Sequence, residues 1–201
     1  MKTDRIQAFS DGIFSILITV IVLEFNIPSY SNGHLAAAVW QQWPKFFAYV
    51  LTFSYIGILW LFHHDMFSCI QATDAKLNVL NLISIFLTTL LSYSMSLLSE
   101  SLVTHNLSDL QFSIIFYSLL ALSISLSYLE FYHYLFQKSY LLTDHTIKFQ
   151  LQDLRKYPLA SCLIYLLALI STVFNVYAGL LFLVAGILFH GFAYWEIAKS
   201  A

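Results

Sequence analysis

Six runs of apolar residues, each long enough to cross a bilayer, constrain this chain more than any other feature. They cover residues 6–27, 46–65, 77–98, 111–136, 157–175 and 178–198. A hydrocarbon core about 30 Å thick needs about 20 apolar residues per helix. Charged residues are only 10% of the chain and hydrophobic residues 59%, whereas a soluble domain carries about 25% charge. No water-facing shell can be built from that composition, so the lipid bilayer is the solvent. The predicted fold is all-α, a polytopic membrane protein with six transmembrane helices in one domain, 1–201.

Irregular backbone cannot be left in hydrocarbon, so the breaks between the runs belong at the interfaces. They are Pro28, the 31–45 stretch with Asn32-Gly33 and Pro44, a Ser99–Asp109 loop, and the polar 137–156 segment. Asn175 and Gly179 divide the last apolar run into a tight hairpin. The 137–156 segment mixes charge with Ile147, Phe149, Leu151 and Leu154, as a short helix lying on the membrane surface would. With the amino terminus inside, eight of nine Lys and Arg residues fall on the cytoplasmic side and only Lys45 outside. Both termini are therefore expected in the cytoplasm. Trp40, Trp43, Trp60 and Trp195 fall near predicted helix ends, as interfacial anchors do. Asp11 interrupts the signal-like start of the chain and no small-x-small site follows Leu23, so the first helix reads as retained. The net charge of −2 gives no sign of nucleic-acid affinity. Cys69 and Cys162 have no metal spacing and read as free thiols.

The expected topology brings several polar groups to one depth. Arg5, Ser10 and Asp11 open helix 1, His63, His64 and Asp65 close helix 2, and Asn78 and Asn81 open helix 3. A charge at a helix centre costs about 2.5–3.5 kcal/mol on insertion scales, so such groups are kept where they pair or line water. The simplest role is a hydrogen-bonded layer that fixes helix packing. His63 and His64 point about 100° apart on a helix, which does not suit a shared metal. No zinc-type or nucleophile-elbow motif occurs, so neither an enzyme nor a metal or other cofactor is expected. Glu130 and His133 lie one turn apart and are placed to pair with each other.

Helix 1 also carries a heptad-like stripe, Phe9, Ile13, Ile16, Val20, Leu23 and Ile27. Beside it run Gly12, Ser15, Thr19 and Asn26. Small and hydroxylated residues allow close helix approach or offer oxygens to an ion. Ser and Thr in membrane helices most often bond the carbonyl four residues back, so the hydroxyls alone do not name an ion path. Glu24 is placed at the outer mouth, either to attract cations or simply solvated at the interface.

Arg5-x-x-x-Phe9-Ser10-Asp11-Gly12, the apolar run after it, and Gly57-x-x-Trp60-x-x-His63-His64-x-x-Phe67 together resemble the transmembrane protein 175 family. The likeness is close over about residues 5–67 and topological beyond. The family's third helix often ends in a proline-bearing segment, whereas Leu91-Ser-Tyr-Ser-Met-Ser has none here. The resemblance implies a potassium-permeable channel permeated by monovalent cations. One six-helix repeat per chain implies a homotetramer. Helix 1 would line the pore, with no carbonyl filter of the Thr-Val-Gly-Tyr-Gly kind. Ile16 would match the constriction, Val20 and Leu23 the aliphatic layers outward of it, and Thr19, beside Ser15, the hydroxyl layer that prefers potassium. Arg5, Ser10, Asp11 and His63 or His64, with Asn81 at their level, would form a structural polar network behind the permeation path. A secondary transporter is the alternative. It is disfavoured by the lack of Pro or Gly breaks at mid-depth and of likeness between the two halves. A non-conducting membrane scaffold ranks lower still.

Overall fold

The structure is a computed structural model that describes residues 3–104, 106–144, 147, 151 and 154–200. Among these residues it is all-helical, with α1 Thr3–Val20, α2 Leu35–Gln41, α3 Trp43–Ser68, α4 Ala75–Thr89, α5 Leu91–Thr104, α6 Leu107–Gln137, α7 Lys156–Phe174 and α8 Val176–Ser200. Six candidate spans result: Thr3–Glu24, Trp43–Ser68, Ala75–Thr104, Leu107–Gln137, Lys156–Phe174 and Val176–Lys199. They match the six predicted runs. Neither charge nor proline stops most of these helices where apolar character ends, so several run past the expected boundaries.

Four local features depart from the sequence reading. First, α1 tightens into a 3-10 turn at Ile21–Glu24 and the chain is extended from Phe25, rather than helical to 27. Phe25 stacks 4.7 Å from Phe46 and 5.3 Å from Tyr49, which draws the chain off the helix axis onto α3. Second, the 31–45 stretch contains α2, and Pro44 sits in the first turn of α3. Proline there loses nothing, because that turn's N–H groups have no helical acceptor. Third, the Ser99–Asp109 loop shrinks to a brief interruption after Thr104. The Asn106 side chain caps α6 by accepting from the Ser108 and Asp109 amides at 2.9 and 3.3 Å. Fourth, the third span is broken at Leu90 without Pro or Gly. The Thr88 hydroxyl donates to the Ser84 carbonyl at 2.8 Å and the Thr89 hydroxyl to the Phe86 carbonyl at 2.7 Å. The Leu90 amide then makes a tighter bond to Leu87 O. Hydroxyls that take over ladder acceptors bend helices in this way.

Asn175 makes the hairpin between α7 and α8: its side chain accepts from the Tyr177 and Ala178 amides at 3.0 and 3.1 Å. Gly179 lies inside α8, where a Cβ would come within 2.8 Å of Thr172 Cα. It permits close packing rather than breaking the helix. Both cysteines are free, Cys69 at the end of α3 and Cys162 within α7.

Two apolar cores stack along the bundle. The larger fills the middle, from Phe14, Leu59 and Tyr128 to Leu98, Leu110 and Leu183. The smaller lies at the end that holds both termini, around Ile6, Phe67, Leu77, Phe131 and Leu142. There α6, at 31 residues, is about 46 Å long and outruns a bilayer core of about 30 Å. The overhang is clasped by backbone: Ile70 and Leu142 form a β-bridge, with Thr143 N to Cys69 O at 3.0 Å and Gln71 N to Leu141 O at 2.9 Å. Of the surface helix expected in 137–156, the described residues give a 3-10 turn at Ser139–Leu141 and helical backbone at Ile147, Leu151 and Leu154. Lys148 and Phe149 lie outside the described residues, as do 145, 146, 150, 152 and 153.

Candidate functional site

A single polar layer separates the two cores, and its construction repeats on three helices. On α1 the buried order is Ile6, Ser10, Phe14. On α3 it is Leu59, His63, Phe67, and on α4 it is Leu77, Asn81, Ile85. Each polar residue has an apolar neighbour four residues before and four after, hence one turn below and one above on the same face. The three polar side chains meet in one relay. His63 Nε2–H donates to Asn81 Oδ1 at 2.7 Å, Asn81 Nδ2–H to Ser10 Oγ at 3.0 Å, and Ser10 O–H to Ile6 O at 2.9 Å. Because the amide oxygen only accepts, the imidazole proton sits on Nε2. His63 is 0% exposed, stacked 4.4 Å from Phe67 and tilted 5.4 Å from Phe14. Such a relay leaves one geometry for α1 against α3 and α4, since sliding any helix strands a buried donor.

One residue further along, a second set faces the open side of α1. Asp11 Oδ1 accepts from Trp60 Nε1–H at 2.9 Å, and its other oxygen stands 3.7 Å from His64 Nδ1. Gln7 Nε2 reaches His64 Nδ1 at 3.3 Å. Ser10 and His63 thus point into the bundle, Asp11 and His64 out of it. The two histidines are divided between the two sets, as their helical offset requires.

Some predicted neighbours do not join. Arg5 is exposed and makes no ion pair among the described residues, although the expected network included it. Asp65 is exposed as well. Trp60 is no interfacial anchor: it sits within α3, half-buried against Asp11. Glu130 pairs with Lys76 at 3.2 Å instead of His133, while His133 bonds Gln137 at 2.8 Å. Below the layer, the Tyr134 hydroxyl and the Leu77 amide hold the Asp74 carboxyl below its ordinary range.

The stripe on α1 is largely bare. Ile16 is 61% exposed and Leu23 73%, and Phe9, Val20 and Ile27 are exposed with them. Ser15 and Thr19 share that open side. The Thr19 hydroxyl donates to Ser15 O at 3.0 Å and Ile16 O at 2.9 Å, so its proton is turned inward along the helix. Glu24 accepts from Ser96 Oγ at 2.7 Å, which joins the end of α1 to α5.

Six candidate spans, with the first helix held from behind by buried hydrogen bonds and bare in front, define a polytopic membrane protein. The chain matches, over residues 5–92, the family described as endosomal/lysosomal potassium channel TMEM175. It is 37% identical over 100 residues to a potassium channel of Streptomyces collinus, covering 49% of this chain and 48% of that one. It is 34% identical over 102 residues to a potassium channel of Chamaesiphon minutus, covering 49% and 50%. Against the Bos taurus protein described as endosomal/lysosomal proton channel TMEM175 it is 32% identical over 94 residues, 42% of this chain and 20% of that one. The matched region thus spans about half the length of these bacterial relatives. The fold likeness runs further. A solved TMEM175 homologue from Chamaesiphon minutus, described as a lysosomal potassium-selective channel homologue, superposes with a TM-score of 0.83 at 23% identity, over 96% of this chain and 97% of that one.

Proposed function

We propose that this chain is a potassium-permeable cation channel, a homotetramer in which four copies of α1 surround the conduction path, with both termini in the cytoplasm of a prokaryotic cell. The observation that carries the reading is the bare stripe of α1. An exposed aliphatic ridge flanked by hydroxyls, on a helix rigidly buttressed from behind, suits a wall shared by several copies.

In that arrangement Ile16 forms the narrowest collar, with Val20 and Leu23 as wider ones beyond. A narrow apolar neck expels water, and an ion entering it faces the cost of shedding its shell. Potassium holds that shell less tightly than sodium, so the neck penalises sodium more. Thr19 adds partial replacement. With its proton bonded to Ser15 O and Ile16 O, its free lone pairs are left for a cation. Ser15 lies one turn away on the same side.

Two substitutions separate path from frame. Thr19→Ala should lower the preference for potassium over sodium by roughly fivefold, since losing a hydrogen-bonding oxygen is worth about 1 kcal/mol. Reversal potentials under bi-ionic conditions test it, and unchanged potentials would remove Thr19 from selectivity. Asp11→Ala frees the Trp60 indole N–H and should loosen the assembly by about 1 kcal/mol per copy, with ion preference unaltered. Thermal dissociation of the oligomer measures this, and a wild-type dissociation profile would contradict the role.

The deciding experiment is potassium-driven flux into proteoliposomes of the purified protein, with molar mass measured alongside. Unitary conductance steps and a tetramer mass support the channel. Saturable, gradient-coupled flux supports a transporter, for which the break at Leu90 is the one structural argument. Because vertebrate relatives are described as proton channels, a pH gradient should be tried in place of the potassium gradient.

A further inference from the structure

Away from α1, a narrow slot of about 30 Å³ opens into the other half of the bundle, at the end that holds the termini. Its back wall is buried and apolar, with Leu59 of α3, Tyr128 of α6 and Ala193 of α8. Its rim is half-buried, formed by Tyr157 of α7 and by Phe189 and Ile197 of α8. The Tyr157 and Phe189 rings stand 6.5 Å apart and make a lip between the two helices. Outside that lip α7 and α8 expose Leu163, Phe192 and Trp195. In a bilayer this surface meets hydrocarbon.

Cations gather at the same lip. Lys156 Nζ lies 5.2 Å over the Tyr157 ring and has no ion pair among the described residues. Arg155 precedes it, with its Nε buried and without an acceptor among the described residues. Lys199 sits 5.2 Å over the Trp195 ring, shared with Glu196 at 3.8 Å. A neutral oil would leave the cations unanswered, and a soluble anion would leave the slot empty. A molecule with a thin apolar tail and an anionic head answers both, and the surrounding leaflet supplies one.

We propose that the slot and its lip bind one anionic phospholipid, with the end of one acyl chain behind Tyr157 and Phe189 and the phosphate on Lys156 and Arg155. The site requires only that the six helices lie in a bilayer; it stands whether or not α1 lines a conduction path. The test offers phosphatidylglycerol and phosphatidylcholine of identical chains to the full-length protein in detergent and reads retained lipid by native mass spectrometry. Phosphatidylglycerol should be retained roughly fivefold more than phosphatidylcholine, the scale of one cation at a membrane surface. Lys156→Gln should erase that preference, and Ala193→Phe, which fills the slot, should lower retention of both lipids. Equal retention of the two lipids by the wild type, or oleate retained as strongly as phosphatidylglycerol, would overturn the assignment. Lys156 is exposed, so its variant keeps the test decisive even where Ala193→Phe fails to fold.

Discussion

Ile16→Asn should raise potassium flux by roughly tenfold or more, a barrier change of about 1.4 kcal/mol. The size of the effect follows from symmetry. In a fourfold collar one substitution replaces four aliphatic side chains with four amides at a single level. Each amide offers an oxygen to a cation and a hydrogen-bonding site to water, so the neck wets and the desolvation cost falls. Selectivity should fall at the same time, because a hydrated neck no longer penalises sodium for its tighter shell. The side chain is 61% exposed in the protomer, and asparagine there strands no buried partner, so the variant should fold and assemble normally. Flux in reconstituted vesicles, set against protein mass in the same vesicles, gives the answer. If Ile16→Asn conducts no faster than wild type, Ile16 is not the constriction, and Leu23→Asn, at the 73% exposed aliphatic position in the 3-10 turn beyond α1, becomes the next variant to measure.

How much of this was legible in the sequence varied by level. Six spans were readable because an apolar run of about 20 residues has few alternatives. The ends were less so: Pro44 reads as a break but serves equally in a first helical turn, and nothing in Asn32-Gly33 announces α2. The break at Leu90 depends on Thr88 and Thr89 hydroxyls choosing backbone acceptors, and many serines and threonines in this chain do so without breaking a helix, Ser125 to Ala121 O among them. At the site, the level of Ser10, His63 and Asn81 followed from topology alone. The choice of His63 over His64 for the relay was readable too, had burial been read four residues each way: Leu59 and Phe67 flank the first, Trp60 and Ser68 the second. Arg5 misled because a cation six residues from Asp11 looks like a partner. On a helix that offset is about 240° once full turns are removed, so the two side chains leave on different faces. Trp60 has the residue type of an anchor, but its spacing of three from His63 places it beside the layer.

Asn81→Leu should be the most damaging single change to the frame. Asn81 is the middle side chain of the relay, accepting from His63 Nε2–H at 2.7 Å and donating to Ser10 Oγ at 3.0 Å. Leucine keeps the branched shape and the four side-chain heavy atoms of asparagine but loses both polar groups, so the main change is the polar loss. Hydrogen bonds between membrane helices average about 0.6 kcal/mol when both partners are deleted or can find substitutes. Here the imidazole remains, 0% exposed, with an N–H that has lost its acceptor, and an unsatisfied buried donor costs about 1–3 kcal/mol. The stranded group should therefore dominate. A loss of about 2 kcal/mol in unfolding free energy is expected, readable as a lowered midpoint in thermal or denaturing-detergent titration. The double variant His63→Leu/Asn81→Leu decides between mechanisms. If the cost comes from the stranded imidazole, removing it as well should restore much of the stability, giving a strong coupling between the two sites. If the two losses simply add, the relay contributes packing rather than hydrogen bonding, and the account of how α1 is fixed against α3 and α4 is wrong.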